Sequence, residues 1–219
     1  MLIKDYLVFL PKWYKWIAFC AEPVAFAGLL LFFVKGLQMY AFYAFLVACM
    51  LWFLAEIYLD YALMGGIYIG QSGLEIVRSS ARGRLFMKHL YRMDMARRFS
   101  LVALEILFFS CLAALEAKIG VADALVLSGM VAGISLFFLQ AVSLVMRFVA
   151  NRMVRVGVMM VGYWLQSAIY LVMSLLMNLM EGTRIALVLS LGWIALAITM
   201  GCALFLLGEK RFARSYTDQ

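Results

Sequence analysis

Histidine occurs once in this 219-residue chain, proline twice and cysteine four times. With His89 alone, paired-histidine haem ligation, His-Glu-x-x-His zinc chemistry and a Ser-His-Asp triad find no support. The four cysteines (Cys20, Cys49, Cys111, Cys202) include no Cys-x-x-Cys pair and are expected to be apolar thiols facing the core. No Gly-x-x-x-x-Gly-Lys-Ser/Thr loop is present, and Gly208-Glu209-Lys210 is no remnant of one, so any nucleotide energy comes from another polypeptide. Charge is scarce as well. Charged residues make up 14% of the chain and apolar ones 67%, against roughly 25% and 45–50% in soluble domains.

The apolar residues are gathered into six runs of the length a helix needs to cross a bilayer, about 20 residues. The runs span Trp16 to Val34, Tyr40 to Leu59, Phe99 to Ala117, Ala124 to Met146, Val156 to Met180 and Ile185 to Leu207. They are apolar on nearly every face, which excludes the alternation of a membrane β-barrel. An all-α, polytopic membrane protein is predicted, as a single transmembrane domain over residues 1–219. Its basic residues are distributed unevenly. Sixteen of the nineteen Lys and Arg residues fall on one side: Lys4, Lys12 and Lys15; Arg78, Arg82, Arg84, Lys88, Arg92, Arg97 and Arg98; Arg147, Arg152 and Arg155; Lys210, Arg211 and Arg214. Only Lys35, Lys118 and Arg184 fall on the other. The positive-inside rule then puts both termini in the cytoplasm of a cell-membrane protein. The net charge of +7 follows from this bias and from contact with anionic lipid, and does not call for nucleic acid. No cleavable signal peptide is expected, because Pro11 and Lys12 interrupt the first apolar run and no clear small-residue cleavage site follows it.

Connections on the outer side are short: Gly36 to Met39, Lys118 to Asp123 and Glu181 to Arg184. Mass outside the bilayer is therefore concentrated on the cytoplasmic face. Residues 1–16 read as an interfacial helix, with Lys4, Lys12 and Lys15 on one face and Leu2, Tyr6, Phe9, Trp13 and Trp16 on the other. Pro11 is expected to bend it before span 1. The longest connection, residues 60–98, should continue span 2 as a helix through Gly65, Gly66, Gly70 and Gly73. Gly83 should then break the chain into two short helical pieces. The second carries an Arg84, Lys88, Arg92 stripe beside Phe86, Leu90 and Met93, so it reads as an amphipathic helix at the membrane surface feeding into span 3.

Within the spans, Glu22, Glu56 and Glu105 sit in the inner half, with Asp60 one turn below Glu56. Gln140 is also in the inner half, and Gln166 is nearer the middle. An ionisable group at depth is costly unless it meets water, a partner or a cavity. These five residues, Glu22, Glu56, Glu105, Gln140 and Gln166, are thus candidates for a substrate path open to the cytoplasm. The alternative is interface glutamates that reach water or pair with Lys15, Arg97 or Arg98. Pro23 sharpens the case for Glu22, since a proline within a span frees a nearby carbonyl. Gly129-x-x-x-Gly133 and Gly66-x-x-x-Gly70 permit close helix approach. Met159-Met160 and Met173 to Met180 read as packing.

The N-terminal interfacial helix, the six spans and the segment from Gly73 to Phe86 together resemble a known family. Glu75, the small pair Ser79-Ser80, basic residues at Arg78, Arg82 and Arg84, and the apolar anchor Phe86 follow the order of the coupling segment after span 2 in membrane subunits of ATP-binding cassette exporters of the ABC-2 permease type. The resemblance implies that Glu75, Arg78, Ser79, Ser80, Arg82, Arg84 and Phe86 dock a cytoplasmic ATP-binding subunit. It also implies that a second membrane subunit, identical or not, completes the translocation path. Many members carry a re-entrant hairpin between spans 5 and 6. Here Glu181–Arg184 leaves no room for one, which counts against a polysaccharide substrate and leaves a peptide, a lipid or a drug-like molecule. No cofactor and no catalysis are expected in this chain. Two alternatives stay open: an ATP-independent carrier or channel that uses the intramembrane glutamates, and a non-transporting scaffold or immunity factor.

Overall fold

The computed structural model describes residues 12–37, 40–68, 81–116, 121–148, 151–179 and 184–212. Six helices account for nearly all of them: α1 Lys12–Gly36, α2 Ala41–Tyr68, α3 Ala81–Glu116, α4 Val121–Phe148, α5 Arg152–Leu179 and α6 Arg184–Phe212. Each contains a stretch long and apolar enough to cross a membrane. A helix satisfies every backbone polar group along its own length, which hydrocarbon surroundings demand. The all-α, six-span expectation therefore holds, and among the described residues there is no strand.

Helix α4 is the centre of the bundle and packs against α2, α3, α5 and α6. Helix α1 lies against α2 and α3, and α6 against α3 and α4. The apolar stretches of α2 and α4 are 56% buried, against 11% for α6, so α6 is peripheral. Small residues set the closest approaches. Gly129 faces Ile194, and Gly133 faces Ala197 at 3.3 Å from where its own Cβ would stand, so the Gly-x-x-x-Gly of α4 lies in its contact with α6. A Cβ on Gly162 of α5 would run into Val142 of α4, and one on Gly208 of α6 into the Tyr91 ring of α3.

Helix α1 is not uniform. A π-turn at Ile17–Ala21 precedes Pro23, and the Glu22 N–H bonds back to the Ile17 carbonyl. Proline removes one helical N–H, and a one-residue bulge beside it is a low-energy way to rearrange the ladder. The bulge comes immediately before Glu22, whose side chain is buried.

Two expectations change. Gly83 lies in the first turn of the 36-residue helix α3, which begins at Ala81 and runs unbroken to Glu116, and the helical piece expected before Gly83 lies outside the described residues. The Phe86 to Met93 stretch is no separate surface helix, since it belongs to the first turns of α3 and Leu90 and Tyr91 are buried there. Nor do all four cysteines face the core. Cys49 is buried, but Cys20, Cys111 and Cys202 are on the outside of the bundle, where lipid is as apolar as a protein interior. Residues Lys12–Trp16, the end of the expected interfacial helix, are the first turn of α1, with Tyr14 buried and Trp13 and Trp16 exposed. Residues 1–11, including Pro11 and most of the expected interfacial helix, lie outside the described residues.

Candidate functional site

Helix α2 carries two acids one turn apart, Glu56 and Asp60, which share a face. Helix α3 carries Asp94, Arg97 and Arg98, also within one turn. The two sets meet at the bundle end that gathers Tyr14, Arg98, Arg155 and Glu209, called here the basic end. Arg97 Nη2 donates to Glu56 Oε2 at 2.8 Å, and Nη1 lies 2.7 Å from Oε1. The first contact is a charge-assisted hydrogen bond, the stronger kind, and the second is an ion pair by distance. Arg97 also reaches Glu22 Oε2 of α1 at 3.4 Å and Asp94 Oδ1 at 3.7 Å. Its Cζ stands 5.7 Å from the centroid of the Tyr14 ring, and the Tyr14 hydroxyl donates to Asp94 at 3.4 Å.

Arg98, the next residue, shares two of these acids. Its Nε is 3.3 Å from Glu56 Oε2, and its Nη2 is 3.3 Å from both Asp60 Oδ1 and Asp94 Oδ2. Its Nη1 donates to Ser143 Oγ of α4 at 3.1 Å. Arg98 is 1% exposed and Glu56 0%. Two guanidiniums thus tie α1, α2, α3 and α4 together, and each is shared among three carboxylates. Charges this deep cost several kcal/mol each to desolvate, and the cluster stands only because each ion has partners.

Nearer the surface, α3 is clamped to α6. The rings of Tyr91 and Phe205 stack at 5.6 Å between centroids, beside Gly208. Arg92 Nη2 lies 2.6 Å from Glu209 Oε1.

A second polar group occupies the bundle on the far side of Glu105 and carries no formal charge. The hydroxyls of Ser135 on α4 and Tyr170 on α5 bond to each other. Gln166 Nε2 donates to both at 3.2 Å, and the Tyr170 hydroxyl donates to the Val131 carbonyl at 2.8 Å. The buried Cys49 thiol of α2 sits against Ser135.

Glu105, on α3, lies between the two groups. It is 4% exposed, and neither carboxylate oxygen has a hydrogen-bond partner. The charged groups within electrostatic reach are Glu22 and Glu56, and Cys49 and Tyr170 lie on its other side.

All five candidate path residues are buried. Glu22, Glu56 and Glu105 come together. Gln140 does not join them: its Oε1 lies 3.6 Å from where a Cβ on Gly201 of α6 would stand. Gln166 belongs to the hydroxyl group. Of the candidate docking residues, Glu75, Arg78, Ser79 and Ser80 lie outside the described residues, as do the side chains of Arg82 and Arg84; Phe86 is half-buried. The site residues that sequence reading missed are Tyr14, Asp94 and Ser143; Arg97 and Arg98 enter that reading as the alternative partners of the glutamates, and Glu22 and Glu56 do pair with them. One signal was present: an acid pair at i, i+4 on one span, opposite an Asp-x-x-Arg-Arg on the next.

The fold and its ionic core define a polytopic, all-α membrane protein. No family model, curated protein or solved structure matches the chain.

Proposed function

We propose that this chain is the membrane subunit of an ATP-driven exporter in the cell membrane. It would work with a separate cytoplasmic ATP-binding subunit and a second membrane subunit, and would move a peptide, lipid or drug-sized molecule. In this reading the basic end faces the cytoplasm, both termini lie there, and the segment before α1 rests on the membrane surface. The reading draws on the charge bias and on the order of residues from Glu75 to Phe86. The single observation that carries it is the unbroken helix α3. Movement imposed near Phe86 passes along one rigid rod to Arg97 and Arg98, which hold α1 and α2 by ion pairs and α4 by the hydrogen bond to Ser143. A closing ATPase that grips the Arg78 to Phe86 segment would therefore shift four spans together. Glu22, Glu56 and Glu105 would line the inner part of the path once the cluster opens, with Gln140 and Gln166 further along it.

The test is whether an ATP-binding protein co-purifies with the chain from its native membrane, followed by reconstitution of the complex and vesicle transport. Reversing charge at Arg82 and Arg84 is expected to uncouple ATP hydrolysis from transport while the membrane domain stays folded. Unchanged transport with an intact complex after both reversals would remove the docking role.

A further inference from the structure

Within the bundle, Glu105 stands apart from every other buried carboxylate described above. Glu22, Glu56, Asp60 and Asp94 each touch a guanidinium. Glu105 touches none, and both of its oxygens are buried without a hydrogen bond. It stands eight residues beyond Arg97 on α3, about 12 Å further along the helix axis. Both guanidiniums are already committed to three carboxylates each, so neither is available to it. A bare carboxylate in such a place would face desolvation with no compensating charge.

The titratable and charged groups that face Glu105 can be named helix by helix. Helix α1 brings Glu22, and α2 brings Glu56 and Cys49. Helix α5 brings Tyr170. Helix α4 brings the neutral Ser135, Gln140 and Ser143 to the buried interior; its one acid, Asp123, is exposed at the other end. Glu209 of α6 is paired with Arg92 near the basic end. On α3 itself the nearest basic groups are Arg97 and Arg98. No three His, Cys, Asp or Glu side chains among the described residues converge as a metal site would require. The cation that fits a lone carboxylate with two carboxylate neighbours is the smallest one.

We propose that Glu105 is a proton-binding site inside the membrane domain. A hydronium ion gives its proton to a Glu105 oxygen, an O–H bond forms, and the donor leaves as water. Protonation removes a like charge from between α1, α2 and α3. Loss of the proton puts three neighbouring carboxylates in mutual repulsion, which loosens the Arg97 cluster. Proton occupancy thereby biases how tightly the first three spans hold together. This goes beyond the exporter reading, and it stands or falls without an ATPase.

The experiment is infrared difference spectroscopy on the full chain in lipid nanodiscs, titrated from mildly acidic to alkaline pH in water and in heavy water. The wild type is expected to show a protonated-carboxyl C=O band that disappears on alkaline titration, returns on reversal and shifts in heavy water. Glu105→Gln should abolish that band, and since the amide is close in shape to the protonated acid it should melt at or above the wild-type temperature. Glu105→Asp should keep a band at a different frequency, which preserves the test should the Gln variant not fold. The proposal is overturned by a wild type with no such band, by a band that never titrates, or by one unchanged in Glu105→Gln or Glu105→Asp.

Discussion

Two polar groups share the interior of this bundle and are built differently. The group at the basic end is ionic: two arginines, four carboxylates, one tyrosine and one serine drawn from α1, α2, α3 and α4. The group beyond Glu105 is neutral: two hydroxyls, an amide, a thiol and a backbone carbonyl from α2, α4 and α5. The difference follows from depth. Toward the basic end the charges are buried, and shared guanidiniums offset their desolvation. Deeper in, a charge has less to gain, and hydroxyls that alternate as donor and acceptor close their hydrogen bonds at little cost. Glu105 violates this pattern, which is why it carries the proposal above.

The comparison is broken most sharply at its ionic end. Arg98→Met should destabilise the chain by about 3–5 kcal/mol, because Glu56, Asp60 and Asp94 all lose a buried partner. The readout is the melting temperature of the purified protein, followed by tryptophan fluorescence and monodispersity. A variant that melts within a degree or two of the wild type would mean that the cluster is not buried as described.

At the neutral group the expected loss is smaller. Tyr170→Phe keeps the ring but strips the hydroxyl from Ser135, Gln166 and the Val131 carbonyl, which should cost about 1–3 kcal/mol. The same melting assay checks it, and a stabilised variant would show that the hydroxyl has no role in holding α4 to α5. Smallest of all is Arg92→Ala. Its partner is largely shielded but Arg92 is itself exposed, and such surface pairs contribute under about 1 kcal/mol. Any effect should fade as salt is added. A loss as large as that of Arg98→Met would make the clamp between α3 and α6 a main support rather than a trim.

The six helices were legible from apolar run length alone, since hydrocarbon leaves a long apolar segment few other structures. The continuation of α2 past Leu59 was legible too. The start of α3 was not. The Arg84, Lys88, Arg92 stripe is locally consistent with a separate surface helix, and only the burial of Leu90, Tyr91 and Met95 within one continuous α3 decides against it. Likewise Glu22, Glu56 and Glu105 could be flagged as costly in the membrane, and pairing with Arg97 or Arg98 was one open outcome. That two arginines at a presumed loop end would be buried and shared across four helices depends on helix rotation, which composition does not encode. Gln140 and Gln166 show the same limit: similar residues at similar depth, turned toward different neighbours.

The continuity of α3 through Arg97 and Arg98 underlies both the lock and the lever, and one distance reports on it. Leu85 and Leu104 are both exposed on this helix, on either side of the arginines. Spin labels at these two positions, in a chain whose native cysteines have been replaced and which is held in nanodiscs, can be measured by pulsed electron resonance. One straight helix gives a single narrow distribution near the backbone separation of about 28 Å for 19 residues. A broad or clearly shorter distribution would mean that the chain bends before entering the membrane, and that no rigid rod joins the basic segment to the ionic core.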